Sequence, residues 1–203
     1  AASLHDAPRP DLVAQFADLT GSVVCVESVS QQRLGVAGDA GGGLLCDSYD
    51  WLLGNPTLRR ALAPDFVLQL GAAPVSAALE QLLSDRANSV ACAICAESGW
   101  PDPIHQSAEM LRGRPADLLD AACAALRHRP RRARPRLELW RNAQAVARKA
   151  LERHVQSDFG EAAAVVELCS ALPRGSVLAV SNSLPPRLLD RYVAAAARDV
   201  RVC

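Results

Sequence analysis

Residues 66–83 read Phe66-Val67-Leu68-Gln69-Leu70-Gly71-Ala72-Ala73-Pro74-Val75-Ser76-Ala77-Ala78-Leu79-Glu80-Gln81-Leu82-Leu83, and a second apolar run, Val90-Ala91-Cys92-Ala93-Ile94-Cys95-Ala96, follows the polar pair Asn88-Ser89. Each apolar run has the length of a strand and little polar alternation, as expected where helices cover both faces of a sheet. Between them Val75, Ala78, Leu79 and Leu82 share one face from Pro74 to Leu83. The spacing therefore predicts a strand, a crossover helix and a second, parallel strand, with Gly71 turning the chain out of the first.

The alternation extends in both directions. Upstream, Pro10 opens a helix in which Leu12, Val13, Phe16, Ala17 and Leu19 fall at helical spacing and which stops near Thr20-Gly21; a strand follows at Val23 to Glu27. Ser28 to Gly43 has little periodicity and ends in Gly38-Asp39-Ala40-Gly41-Gly42-Gly43, the composition of a surface loop. Tyr49 to Leu53 and a segment opened by Pro56 predict a short helical pair, which Pro64-Asp65 breaks. Downstream, Trp100-Pro101-Asp102-Pro103 must leave the sheet because its prolines lack ladder donors, and Pro115 opens a helix to about Leu126. The expected fold is α/β: an open, mostly parallel, Rossmann-like sheet with flanking helices.

A proline-broken basic run, Arg127-His128-Arg129-Pro130-Arg131-Arg132-Ala133-Arg134-Pro135-Arg136, divides the chain. It is read as an exposed linker over 127–136, between an α/β domain at 1–126 and a second part at 137–203. That second part is expected to hold a helix from Leu137 to about His154, another from Gly160 to Leu172, a turn at Pro173-Arg174-Gly175, a buried strand from Ser176 to Val180, a helix from about Leu184 to Ala197 and a strand start at Val200 to Cys203. An opening helix without a preceding strand, and an end inside an apolar run, are expected of an excerpt whose sheet edges pair elsewhere.

Composition narrows the function classes. The 203 residues are 50% hydrophobic and 22% charged with net charge +0, which is globular make-up with no global attraction for nucleic acid or anionic membranes. The basic run lacks interleaved aromatics that would stack on bases, so no nucleic-acid partner is expected. No apolar run, Ser89 to Ala96 included, approaches the roughly 20 residues of a membrane span, and the start, with His5, Asp6 and Pro8, lacks a signal pattern; the expected location is cytoplasmic. Seven cysteines, mostly in apolar segments, read as reduced core thiols. Cys92 and Cys95 have metal or redox spacing but no second Cys or His pair to complete four ligands, so no metal site is expected.

Few segments carry chemistry. The glycines at 38–43 match neither dinucleotide nor P-loop spacing. His105, near Asp102 and Glu109, has no nucleophile in view and reads as structural, so no catalytic residue is assigned. Val177-Leu178-Ala179-Val180-Ser181-Asn182-Ser183-Leu184-Pro185-Pro186-Arg187-Leu188-Leu189-Asp190 is more specific. It delivers small polar residues from a strand end to a helix start, where open parallel sheets bind ligands. Helix-start N–H groups, Ser183, the Asn182 amide and the Arg187 fork could converge on a carboxylate; spacing supports equally a plain N-cap at Asn182 or Ser183 with Arg187 on the surface.

The same stretch, Ser-Asn-Ser-Leu-Pro-Pro-Arg-Leu-Leu-Asp, resembles the Gly-Asn-Ser-Leu/Met-x-x-Arg-x-x-Asp stretch of the 2-succinyl-5-enolpyruvyl-6-hydroxy-3-cyclohexene-1-carboxylate synthase (MenD) family. Phe66 to Ser76 is similar to that family's strand followed by Gly-x-x-x-Thr/Ser, and Trp100-Pro101-Asp102-Pro103-Ile104-His105 to its Asp-Pro-x-His region. The resemblance covers nearly the whole chain and places it in the family's central domain and the start of its diphosphate-binding domain.

What the resemblance implies is a three-domain, homo-oligomeric enzyme that uses thiamine diphosphate and Mg²⁺ to decarboxylate 2-oxoglutarate and add the succinyl unit to isochorismate, in menaquinone biosynthesis. The partners implied are the remaining domains of the same enzyme and small carboxylate substrates. Carried over residue by residue, Ser183 and Arg187 hold substrate carboxylates, with Asn182 less strongly marked. Ala77 and Ala78 stand where the family usually has one or two basic residues, and neither the cofactor-activating glutamate nor the Gly-Asp-Gly-type metal motif is found in these residues. No cofactor is therefore expected on the isolated chain, which is expected to be inactive alone. Two other classes fit the same residues: a non-catalytic binding or regulatory module on the central-domain fold, and the central part of another thiamine diphosphate enzyme, such as a 2-oxo acid decarboxylase or an acetolactate synthase relative.

Overall fold

Several helix ends follow local chemistry. In this computed structural model, which describes residues 8–35, 42–85, 90–105, 107–129, 135–196 and 198–203, helix α1 (Pro10–Thr20) starts on a proline whose fixed φ suits a first turn. It ends where Gly21 takes a left-handed conformation and donates its N–H to the Ala17 carbonyl at 2.7 Å. Helices α2 (Tyr49–Gly54) and α3 (Pro56–Ala61) meet at Asn55, whose Oδ1 accepts the N–H groups of Thr57 at 2.9 Å and Leu58 at 3.1 Å. Helix α4 (Ala77–Asp85) is capped by Ser76, whose Oγ accepts the Leu79 N–H at 3.1 Å. Helices α5 (Pro115–Leu126), α6 (Pro135–Ser157), α7 (Glu161–Ala171) and α8 (Leu184–Tyr192) complete the set.

All observed strand pairs are parallel. Strand β1 (Val23–Cys25) pairs with β2 (Leu44–Cys46), β3 (Phe66–Leu70) with β4 (Ala91–Ala96) and β4 with β5 (Glu109–Arg112), while β6 (Val177–Leu178) pairs with β7 (Arg201–Val202). The parallel α/β class is as expected, with hydrogen-bonded ladders in three groups, β1-β2, β3-β4-β5 and β6-β7.

Strand alternation sorts side chains to two helical layers. Val24 and Leu70 pack with Leu12 and Val13 of α1 and Leu119 and Cys123 of α5. Val23, Cys25, Leu44 and Cys46 turn the other way, toward Leu52 and Leu53 of α2, Leu82 of α4, and Leu137 and Trp140 of α6. The Trp140 indole N–H reaches the Leu62 carbonyl at 3.1 Å, so α6 lies across the first part of the chain. Gly43 shows why one glycine of the expected loop is required: a Cβ there would come within 2.7 Å of the Ala17 backbone. The other loop glycines at 38–41 and the basic residues at 131–134 lie outside the described residues.

Several segments differ from their sequence-based expectation. Strand β2 follows Gly43 directly, where no element is expected between the loop ending at Gly43 and the helix at Tyr49, and β5 forms from Glu109-Met110-Leu111-Arg112, whose composition is not strand-like, because β4 offers it a parallel edge. The strand expected as buried from Ser176 to Val180 is two residues long, with Val177 61% exposed. Helix α8 stops at Tyr192 and not at Ala197. Beyond it the backbone is drawn elsewhere: the Val193 carbonyl accepts from Arg33, the Ala195 N–H donates to Asp47 Oδ2 at 2.7 Å and the Ala196 N–H donates to the Arg33 carbonyl at 2.9 Å.

Arg33 organises that junction. Its side chain is fully buried and donates to the carbonyls of Val26, Asp47 (2.8 Å) and Val193, with Asp190 Oδ1 at 3.8 Å from Nε. Asp190 in turn accepts the Ser28 N–H, and Asp47 lies 3.7 Å from Arg148, which donates to the Tyr192 carbonyl at 3.1 Å. Arg33→Leu leaves three buried carbonyls and one buried carboxylate without their partner, and the unfolding free energy should fall by about 3–5 kcal/mol. An unchanged urea midpoint would remove Arg33 from this role.

Glu27, at the end of β1, accepts the Val75 N–H at 2.6 Å and the Tyr49 hydroxyl at 3.3 Å. Burial pushes its carboxyl pKa up, Asp190 adds to the rise, and the Val75 N–H, Tyr49 and Arg33 oppose it. A carboxyl raised on folding contributes most below the ordinary carboxylate range, and that contribution is lost as pH rises through the folded value. Glu27→Gln keeps the acceptor and removes the titration. The variant should lose less stability than the wild type between pH 5 and pH 7, as read from urea unfolding at both values; parallel pH profiles would contradict this.

Candidate functional site

The short helix α8 presents three stripes to three environments. Leu189 and Val193 lie in a buried apolar cluster with Leu34, Cys169, Val200 and Val202, and Asp190 beside them meets Ser28 and Arg33. Leu188 and Tyr192 line a shallow cleft of about 220 Å³ with His154, Asp158, Gly160, Glu161 and Ala162. Arg187 and Arg191, also four residues apart, form the third stripe, with Ser183 one turn before Arg187.

All three residues expected from the sequence to hold a carboxylate are at this helix start. Asn182, Ser183 and Arg187 are exposed. Ser183 is the N-cap with φ 80° and ψ −115°, an uncommon conformation for a residue with a Cβ, and its hydroxyl makes no cap hydrogen bond. Pro185 and Pro186 occupy the first turn, so the helix start has fewer backbone N–H donors than the bare pattern suggested. An anion here would rest on the Ser183 hydroxyl and the Arg187 guanidinium more than on the backbone. Among the described residues Arg187 has no internal ion pair or hydrogen bond, unlike Arg33, Arg59, Arg148 and Arg191.

Next to this stripe lies a polar clasp that sequence reasoning missed. Asp50 of α2 accepts the Ser76 hydroxyl at 2.6 Å through Oδ1 and meets Arg191 Nε at 2.9 Å through Oδ2. The Trp51 ring lies 5.4 Å from the Arg191 guanidinium carbon, and its indole N–H donates to the Arg191 carbonyl at 3.1 Å. Ala77 and Ala78 follow Ser76 as the first residues of α4, so this part of the rim presents no cation. The adjacent acid and base of Asp190-Arg191 were a possible signal, since they directly follow the apolar pair Leu188-Leu189, but nothing local names their partners at 28, 33 and 50.

Other candidates resolve to structure. His105 is exposed and bonds through its backbone N–H to the Asp102 carbonyl, while the Asp102 side chain accepts the Ser107 N–H at 3.0 Å and its hydroxyl at 2.5 Å. Cys92 and Cys95 are buried in β4, and burial raises both thiols. Burial, with Glu27 adding to it, pushes Cys25 up to about 12. Such thiols stay protonated and unreactive near neutral pH. No three His, Cys, Asp or Glu side chains are grouped to hold a metal among the described residues, and no described helix is long and apolar enough to cross a membrane.

The family model described as "Middle domain of thiamine pyrophosphate" matches residues 3–180, ending just before Asn182. Among curated proteins the chain is similar to 2-succinyl-5-enolpyruvyl-6-hydroxy-3-cyclohexene-1-carboxylate synthases. That of Sorangium cellulosum (strain So ce56) is 32% identical over 97% of this chain and 32% of its own length. That of Geobacillus kaustophilus (strain HTA426) is 32% identical over 95% and 33%, and that of Roseiflexus sp. (strain RS-1) 32% identical over 93% and 31%. The chain thus spans about a third of the length of the curated relatives it matches. Parallel strands between two helical layers, with a matching family model over residues 3–180, show that the chain belongs to the thiamine pyrophosphate middle-domain family.

Proposed function

We propose that this chain is the middle part of a thiamine diphosphate-dependent synthase of menaquinone biosynthesis, which decarboxylates 2-oxoglutarate and adds the succinyl unit to isochorismate. The observation that carries this is the exposed Arg187, free of internal partners among the described residues, one turn after the uncapped Ser183 hydroxyl on a helix anchored by buried charge. The Arg187 guanidinium supplies a planar donor pair to a substrate carboxylate, Ser183 adds a hydroxyl donor, and Asn182 is the weaker third contact. The α/β domain at 1–126, the linker at 127–136 and the beginning of a diphosphate-binding domain at 137–203 are the proposed organisation, in a cytoplasmic homo-oligomer.

The described residues do not fit thiamine diphosphate or Mg²⁺ themselves. They group no metal ligands, Gly42 gives its N–H to Asp18 Oδ1 at 2.6 Å, a carboxylate where a phosphate would have to sit, and Gly43 packs against Ala17. The cofactor is therefore assigned to other parts of the complete protein, and the isolated chain is proposed to be inactive. A second proposal, a non-catalytic binding module, draws on Ala77 and Ala78, which leave the start of α4 without a cation.

The complete protein, supplied with thiamine diphosphate, Mg²⁺ and both substrates, separates the two proposals: turnover supports the synthase and its absence the binding module. Within an active protein, loss of a charged hydrogen bond worth about 1.5–3 kcal/mol means that Arg187→Ala should raise KM for a carboxylate substrate roughly 10- to 100-fold. Arg187→Lys should recover only part of it. Unchanged kinetics in Arg187→Ala would take this residue out of the site.

A further inference from the structure

We propose that Asp50 is a positioning residue for the carboxylate site, fixing the helix that carries Arg187 to the turn that precedes α4; this rests on Ser183 and Arg187 holding a substrate carboxylate. One carboxylate bridges two segments far apart in sequence. Its Oδ1 takes the Ser76 hydroxyl at 2.6 Å and its Oδ2 the Arg191 Nε at 2.9 Å. The side chain of Asp50 is 14% exposed and that of Arg191 49%, so the pairing is shielded from water on the carboxylate side, where the Ser76 hydroxyl fixes its geometry. Ser76 is not free to follow Asp50 elsewhere, because its oxygen also caps α4 through the Leu79 N–H at 3.1 Å.

Arg191 is held from three directions by two consecutive residues. Asp50 meets its Nε, the Trp51 ring flanks its guanidinium and the Trp51 indole binds its carbonyl. A helix of 9 residues has little stability of its own, so its orientation comes from such contacts. Asp190 restrains the buried side of α8, and Arg148 and Arg33 hold the Tyr192 and Val193 carbonyls, so these anchors all lie at the buried side or the C-terminal end of the helix. The Asp50–Arg191 contact is a further anchor, on the exposed stripe of the helix. It lies one helical turn from Arg187 on the same stripe, and fixes where that guanidinium is presented. Displacements of about 1 Å at a reacting group can cost on the order of 100-fold in rate, so this further anchor bears directly on substrate use.

The test is a double-mutant cycle in the complete protein, with 2-oxoglutarate as the varied substrate and thermal midpoints recorded for each variant. Asp50→Asn alone should raise KM about 3- to 10-fold with kcat moved less, a shift of roughly 0.7–1.4 kcal/mol. In the Arg187→Ala background the same substitution should change KM less than twofold, because the residue being positioned is gone. Asp50→Glu should restore part of the loss. An equal penalty in both backgrounds, or no change in KM for Asp50→Asn, overturns the positioning role while leaving the carboxylate site standing. If Arg187→Ala itself leaves KM unchanged, the site fails and Asp50 has nothing to position. Should Asp50→Asn not fold, Ser76→Ala and Arg191→Gln each cut one arm of the bridge; the Arg191→Gln effect on KM must then vanish in the Arg187→Ala background, and its persistence there sinks the proposal.

Discussion

A fully buried guanidinium must be matched on every side, and Arg33 meets that demand with three backbone carbonyls and one carboxylate from three separate stretches of chain. The partners come from the end of β1, the end of β2, the residue after α8 and α8 itself. An unpaired charge in that position would cost several kcal/mol, so the segments are coupled: none can move far without exposing or orphaning a polar group. The first strands and the last helix thereby become one structural unit even though about 160 residues separate Arg33 from Val193.

That coupling accounts for the form of the proposed site. Helix α8 has few apolar residues to bury, essentially Leu189, with Val193 just beyond its end. Hydrophobic area alone would hold it loosely, since one buried leucine contributes only about 1.5–3 kcal/mol. Charge pairs and backbone capture supply direction as well as attachment: hydrogen bonds have preferred angles, while apolar burial tolerates rotation. The exposed Ser183 and Arg187 can remain uncommitted to the protein because neighbouring residues on the same helix are so fully committed.

Much of the fold was legible because it rests on local chemistry. Pro10 and Pro115 open helices at the residues expected, and Phe66–Leu70 is a strand as its apolar run demands. What failed was non-local. Strand β2 has only three residues beside glycines, too few for periodicity, and β5 exists because a neighbour's edge is available. The end of α8 is set by partners at Arg33 and Asp47, while the alanines around it would by themselves continue a helix. The site divides in the same way. Ser183 and Arg187 could be picked from a short motif, whereas Asp50, Arg33 and the structural part played by Asp190 become visible only when distant segments are brought together. Gln31-Gln32-Arg33-Leu34 reads as surface loop, yet Arg33 and Leu34 are among the most buried residues of the chain.

The carboxylates beneath α8 also explain why this junction is polar at all. Burial raises Glu27 and Asp190, the Asp190 charge adds to the rise of Glu27 and the Asp50 charge to that of Asp190, so holding these carboxylates charged near neutral pH costs stability that an apolar cluster would not. Polar pairing gives up some of that stability and gains definition, because Arg33, Asp190 and Ser28 fit in one relative arrangement. A site that holds a small anion through one hydroxyl and one guanidinium needs that definition more than it needs depth of burial: the donors must face the ligand without rotating to find it. The buried charges are then the support of the proposed site, and the exposed stripe of α8 is its proposed working surface.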